Sequence, residues 1–407
     1  MSVDTPATIA ILGSGPVGLE AALYARFLGY DVILFERGEV AENVRRWGHV
    51  RMFTPFGMIH SMLGLSALVA HDEKFFPPAD ERFLTGQEWV DGYLVPLSQT
   101  DLLHGHIRTG TTVLAIGREG LRKGDLAGHE DRGDYNFRIL TCDASGNESV
   151  HSADVVIDAT GTFGQPQWAG QGGIPAIGER VLRDKIKYYV PDILGRDRTQ
   201  YAQQRTLVIG NGHSAATSIL ALSQLARESP GTHVTWIVRR PVGLSSFGPV
   251  AIIENDPLEE RSKLVAAANG CAMRGDSGVT FWADTALHAV RHDATTGRFE
   301  VDLLGEHAGT AEFDRIIANV GYRPDDTLSE ELQISSDAVT EVVSSDSSGK
   351  QNLITGEPHF YVLGAKQRGR DSNFLFADGL AQIRDLFRIL CDRPTLDLYA
   401  SAANLPQ

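Results

Sequence analysis

Short apolar, β-branched runs alternate with stretches of helical periodicity at the start of the chain. Thr8-Ile-Ala-Ile-Leu12 is such a run, Gly13-Ser-Gly-Pro-Val-Gly18 breaks it, and Leu19, Ala22, Leu23 and Phe27 follow at helical spacing. Asp31-Val-Ile-Leu-Phe-Glu36 is the next apolar run. Strand, helix and strand in that order predict a right-handed parallel unit of a doubly wound sheet. The pattern returns at Thr206–Ile209, passes through Gly210-Asn-Gly-His-Ser-Ala215 into a helix predicted over Ala216–Ala226, and comes back as the strand His233–Val238.

Between the two units, Ile107–Ile116, Tyr135–Cys142 and Ser149–Asp158 read as strands, joined by turn clusters such as Asp143-Ala-Ser-Gly-Asn147 into antiparallel hairpins. Thr280–Trp282, Ala286–His292, Phe299–Leu304 and Arg315–Val320 repeat that strand-rich pattern at smaller scale. A final strand, Phe360–Leu363, precedes a helical pattern over Phe374–Leu390 that is expected to return to the first domain. Ser344–Lys350 reads as a polar loop between domains. The expected fold is therefore α/β. Residues 1–170 and 345–407 are expected to form one dinucleotide-binding domain, with a second, 200–325, inserted in it.

At about 150 residues per domain, 407 residues suit two or three domains, and 42% apolar with 22% charged residues excludes a disordered chain. The 37 basic residues face 52 acidic ones, and a net charge of −15 repels nucleic-acid phosphates and anionic lipid, so neither is an expected partner. Cys142, Cys271 and Cys391 form no C-x-x-C pair, which encodes neither a disulfide framework nor a zinc site and suits a reducing cytoplasm. No signal peptide and no apolar run long enough to span a membrane is read from the sequence.

The glycine motifs carry chemistry. In Gly13-x-Gly15-x-x-Gly18 the first glycine permits the tight turn, the second lets backbone approach a pyrophosphate, and the third lets helix pack on strand. Pro16 stands where the first helical turn tolerates a missing N–H. The exposed N–H groups and helix dipole there favour a diphosphate. Glu36 ends the second strand, where a carboxylate accepts hydrogen bonds from ribose hydroxyls. The second motif, Gly210-x-Gly212-His213-Ser214-Ala215, ends its second strand in Arg239-Arg240 instead. Paired guanidiniums suit a ribose 2′-phosphate and point to NADPH, the alternative being a solvated basic strand end.

With both motifs in place, the chain resembles the flavoproteins with two dinucleotide-binding domains, which include thioredoxin reductases and flavin-containing and N-hydroxylating monooxygenases. Val155-Val-Ile-Asp-Ala-Thr-Gly161 is similar to that family's strand ending in A-T-G, and Arg315-Ile-Ile-Ala-Asn-Val-Gly-Tyr-Arg-Pro-Asp325 to its second crossover. The resemblance implies two Rossmann-like domains with antiparallel insertions. It also implies FAD at Gly13, Gly15, Pro16, Gly18 and Glu36, with NADPH at Gly210, Gly212, His213, Ser214, Ala215, Arg239 and Arg240. Further FAD contacts it implies are Arg37, Arg46, Trp47, Val113, Thr160, Gly161 and Gly364.

Two departures from the family pattern stand out. Where the family often places Gly-Asp, this chain reads Gly364-Ala-Lys366, so Lys366 is expected near the flavin edge or in a basic surface loop. The F-x-G-x-x-x-H-x-x-x-(Y/F) signature of flavin-containing monooxygenases is not found, though Ala159-Thr-Gly161 followed by Pro166 echoes other members. Without a cysteine pair, disulfide reduction is not expected. The reading is an FAD-dependent, NADPH-consuming oxidoreductase, expected to act as a monooxygenase on a small organic molecule. The alternative is a reductase passing electrons to an acceptor other than oxygen. No residue is assigned to catalysis beyond the candidates His49, Arg51 and Lys366; for His49, His60, His104 and His106 alike the alternatives are a proton donor and a structural hydrogen-bonder. No metal is expected, and a homodimer is compatible with the sequence. For Phe53–Leu103 the alternatives are a lid or substrate surface and ordinary core through Ile59, Met62, Leu63, Leu65 and Leu68.

Overall fold

The computed structural model describes residues 2–239, 248–275, 277–334, 353–371 and 373–403, so Arg240 and the polar loop at Ser344–Lys350 lie outside the described residues. The chain divides into two compact units, one of Met1–Gln165 with Arg323–Gln407 and one of Pro166–Tyr322. These boundaries differ from the expected 1–170, 200–325 and 345–407. The stretch after Pro166 belongs to the second unit because Ala169, Ala176, Ile186 and Tyr188 are buried against Leu207 and Ile316. Arg323 onward belongs to the first, where Leu332 packs with Leu12, Phe35 and Phe360.

In the first unit, β1 (Thr8–Leu12) leads into α1 (Pro16–Phe27) and β2 (Asp31–Phe35), and β1 pairs with β2 in parallel, Ile9 opposite Val32. A short α2 (Glu42–Arg46) and α3 (Met62–His71) follow. In Phe53–Leu103 the core alternative holds for Ile59, Leu63, Leu68, Trp89 and Leu97, which are buried in the core with α1, and the Trp89 indole donates to the Ile59 carbonyl at 3.0 Å.

Two predicted strands are each split between sheets. Ile107–Ile116 becomes β3 (Ile107–Arg108), which pairs with β2, and β4 (Thr111–Arg118), which joins β5 (Phe137–Asp143) and β6 (Glu148–Ala153) in an antiparallel sheet. Gly110, at φ +62°, makes the break. Ser149–Asp158 likewise divides into β6 and β7 (Val155–Asp158), and the Asp154 carboxylate between them accepts the Thr8 amide at 2.7 Å. The parallel sheet runs Phe360–Val362, β7, β1, β2, β3. Fully buried Glu357, just before the Phe360–Val362 strand, accepts from Arg118 Nε at the end of β4 at 2.7 Å and from Arg132 Nε at 2.9 Å. The helix Phe376–Leu390 covers α1, with Tyr24 and Phe387 rings stacked 4.9 Å apart.

In the second unit, β8 (Arg205–Ile209), α4 (His213–Glu228) and β9 (His233–Ile237) form the second parallel unit. Next come α5 (Glu259–Met273), β10 (Val279–Trp282), β11 (Thr285–Asp293), β12 (Arg298–Gly305), β13 (Gly309–Phe313) and β14 (Arg315–Ala318). The parallel order is β10, β9, β8, β14, and β11 to β13 form an antiparallel layer. No apolar stripe announces α5, whose buried face includes Arg261 and Asn269 beside Val265 and Ala268. Among the described residues no helix is long and apolar enough to cross a membrane.

One carboxylate is buried where the first unit's helices meet. Glu20, on α1, is fully buried and accepts from the Tyr93 hydroxyl at 2.7 Å and the Ser61 hydroxyl at 2.8 Å, while Ser61 caps α3 by accepting the Gly64 amide at 2.8 Å. Burial pushes the Glu20 carboxyl up to about 7, against the lowering effect of the two hydroxyls. The folded protein therefore holds a proton that the unfolded chain, at 4.5, releases. The stabilisation is fully present below about pH 4.5 and is lost as pH rises to about 7, a change of roughly 3 kcal/mol. Thermal unfolding followed between pH 5 and 8.5 is expected to show this loss of stability, and Glu20→Gln is expected to flatten it; an equal slope in the variant would contradict the assignment.

Candidate functional site

A cleft of about 250 Å³ opens in the first unit at the carboxyl ends of β1, β2 and β7. Its floor is the turn from β1 into α1. Gly13 takes φ +94°, and a Cβ there would come within 2.9 Å of the Ala159 carbonyl oxygen. A Cβ on Gly18 would lie only 1.9 Å from the Gly13 carbonyl oxygen, so this glycine lets the helix lie against its own strand. Around a Cβ on Gly15 there is nothing within 4 Å. Gly15 also caps α1 without a side chain and Pro16 follows at the first turn, which leaves the amides of that turn free to meet an anion.

Glu36 stands at the end of β2, nearly buried. The Ser14 amide and hydroxyl donate to its Oε2 at 2.9 and 3.0 Å, and the Gly38 amide donates to Oε1 at 3.0 Å. A carboxylate offers about four acceptor sites, so about one remains for a ribose hydroxyl while the side chain is held in place. Thr111, Thr112 and Val113 line the cleft on the β3–β4 side, and Thr160, Gly161 and Thr162 line it after β7. Arg37 lies at the rim over Gly164, where an added Cβ would come within 3.0 Å of the guanidinium.

Other sequence-predicted residues lie outside this cleft. Arg46 is exposed and paired with Glu42 at 3.4 Å, and it borders a separate shallow groove shared with Arg37 and Arg45. Trp47 is packed so closely over Gly86 that a Cβ there would be 2.6 Å from its ring. Gly364, at φ +76°, forms a buried turn, and Lys366 is a buried ion-pair partner rather than a surface or cleft-lining cation. Arg51 is exposed with its guanidinium 5.3 Å from the Phe83 ring, and half-buried His49 does not line the cleft. His60 pairs with Asp80 at 3.2 Å and lies against Phe56.

The cleft also uses residues that the motifs do not announce: Asn43, Gln165, Asp325 and Leu328. The Asn43 Oδ1 atom is buried without a hydrogen-bond partner. Gln165 Nε2 donates to Asp325 Oδ2 at 2.8 Å, joining two segments 160 positions apart. Only the motif ending at Asp325 hinted at this wall.

The second unit repeats the device. Gly210, at φ +135°, would place a Cβ 2.1 Å from the Asn319 carbonyl oxygen, Gly212 faces open space, and Ala215 is buried against the sheet. The Trp236 indole donates to the Gly210 carbonyl at 2.8 Å and holds the turn. The associated cleft, about 50 Å³, is lined by Gly210, Arg239, Thr285, Ala286 and a loop that includes Gln167–Gln171. Fully buried Glu179 pins that loop, accepting the Ala169 amide at 2.7 Å, the Ala176 amide at 2.8 Å and the Tyr188 hydroxyl at 2.7 Å. His213, in the first turn of α4, is half-buried; burial and the nearby Arg261, itself fixed on Asp256 at 2.6 and 2.7 Å, lower its pKa.

No family model and no curated protein matches this sequence. Solved structures do match. A bacillithiol disulfide reductase from Bacillus cereus superposes with a TM-score of 0.68 at 15% identity, covering 96% of this chain and all of that one. A doubly substituted flavin monooxygenase from Stenotrophomonas maltophilia gives 0.58 at 18% identity over 97% of this chain and all of that one. The reduced form of an ornithine hydroxylase from Pseudomonas aeruginosa gives 0.59 at 15% identity, over 95% and 99%. The chain has the fold of the flavoproteins with two dinucleotide-binding domains.

Two of the first motif's three glycines, Gly15 and Gly18, separate binding from packing. Gly18→Ala is expected to destabilise the fold by about 3 kcal/mol or more through the clash with Gly13. Gly15→Ala should keep stability to within about 1 kcal/mol, yet lower affinity for adenine dinucleotides at least tenfold by filling their approach. Thermal melts and titration calorimetry of both variants check this, and full affinity in Gly15→Ala would contradict the assignment.

Proposed function

We propose that this protein is an FAD- and NADPH-dependent oxidoreductase, and within that class a monooxygenase of a small organic substrate. The observation that carries the reading is the pair of glycine-turn clefts with opposite charge at the end of the second strand, Glu36 in one and Arg239 in the other. Glu36 accepts hydroxyl hydrogen bonds and repels a 2′-phosphate, so the first cleft suits the adenosine end of FAD. Arg239 offers a guanidinium to that phosphate, so the second suits NADPH. FAD, when bound, supplies the capacity to take a hydride and pass on its electrons. The chain's own part is to hold the diphosphate on the bare first turn of α1 and orient the ribose through Glu36.

The likeness to a flavin monooxygenase and an ornithine hydroxylase supports the finer reading. That to a disulfide reductase is weighed against the cysteines: Cys142 lies in β5, Cys271 in α5 and Cys391 just after the Phe376–Leu390 helix, and none lines either cleft.

Arg239→Ala is expected to raise KM for NADPH about tenfold, the effect of losing one charge-assisted contact, and to change KM for NADH by less than about twofold. Oxygen uptake matched to NADPH oxidation in the presence of a hydroxylated product supports monooxygenation. Undiminished turnover without oxygen, using a quinone or disulfide acceptor, would favour a reductase.

A further inference from the structure

Lys366 is the one fully buried lysine among the described residues. It sits in the short turn Gly364–Lys366 that follows the edge strand Phe360–Val362, a strand paired in register with β7. An ammonium out of water is costly by several kcal/mol unless paired and hydrogen-bonded, so its partners show what the site is built to hold. Nζ lies 2.6 Å from Asp158 Oδ2, donates to the Asp325 main-chain carbonyl, and comes within 3.9 Å of Asp326 Oδ1.

Two of these partners, Asp158 and Asp325, lead to the cleft. Asp158 ends β7, and its other oxygen, Oδ1, accepts the Thr160 amide at 3.0 Å and the Thr160 hydroxyl at 2.6 Å. Asp325 accepts Gln165 Nε2 at 2.8 Å and the Thr327 hydroxyl at 2.7 Å. Thr160, Gln165 and Asp325 all line the cleft, whereas Lys366 does not. In strand order β7 and Glu36's strand, β2, flank β1 on opposite sides, so these residues make the wall across Gly13 from Glu36.

We propose that Lys366 is a positioning residue for dinucleotide binding: its ammonium joins the segment after β7 to the segment at Asp325 and sets the wall of the first unit's cleft. This rests on the reading of that cleft as the FAD site. The pair also neutralises Asp158, which unpaired would present a buried anion next to a diphosphate.

The test measures FAD and ADP dissociation constants, NADPH affinity, melting temperature and the visible circular dichroism of bound flavin. The chains compared are wild type, Lys366→Met and the charge-neutral double variant Asp158→Asn/Lys366→Met. Asn keeps an oxygen for Thr160, so the double variant is expected to regain most of the melting temperature lost in Lys366→Met. FAD binding is expected to remain at least tenfold weaker in both variants, with altered flavin dichroism and NADPH affinity within twofold of wild type. If either folded variant binds FAD within twofold of wild type with unchanged dichroism, the pair serves stability alone and the proposal is overturned. Wild-type protein that binds neither FAD nor ADP would overturn the reading of the cleft, and the proposal with it.

Discussion

The whole arrangement depends on how closely a helix can approach the strand that precedes it. At Gly18 the backbone of α1 comes so near the Gly13 carbonyl that no side chain fits between them. That contact brings the first turn of α1 to the end of the parallel sheet and aims its amides at the space beside Glu36. Ser14, inside the same turn, then fixes Glu36 through two hydrogen bonds. The second unit meets the constraint with Gly210 and Ala215, and the Trp236 indole donates to the Gly210 carbonyl in that turn.

A turn and a terminal charge make only half of a cleft. The other half is supplied by segments remote in sequence and held by buried polar groups: Asp158 and Lys366 in the first unit, Glu179 in the second. In each unit a carboxylate gathers backbone amides that would otherwise lose hydrogen bonds on burial. Such groups are expensive to bury and valuable only if every partner is in place, which ties the shape of each cleft to the integrity of its network.

Much of this was legible in the sequence, for identifiable reasons. The strands Thr8–Leu12 and Arg205–Ile209 are short apolar runs ended by glycine, and Gly13, Gly15, Gly18 and Glu36 stand where their spacing places them. The splitting of Ile107–Ile116 and of Ser149–Asp158 was not legible, because each break rests on one residue, Gly110 at φ +62° and Asp154, inside a stretch whose composition suits strand on both sides. Helix α5 escaped because its buried face carries Arg261 and Asn269, paired with partners that periodicity does not show. Of the two alternatives for Lys366, the surface loop fails for a similar reason: a lysine in a basic, glycine-rich stretch reads as surface until Asp158, 208 positions away, is brought against it.

The most direct measurement is to purify the protein, release any bound small molecule by denaturation, and identify and count it by absorbance and mass spectrometry. One FAD per chain is the predicted result, with rebinding by wild-type protein and none by Glu36→Ala. A colourless protein that fails to bind FAD when incubated with it would contradict the assignment of the first cleft.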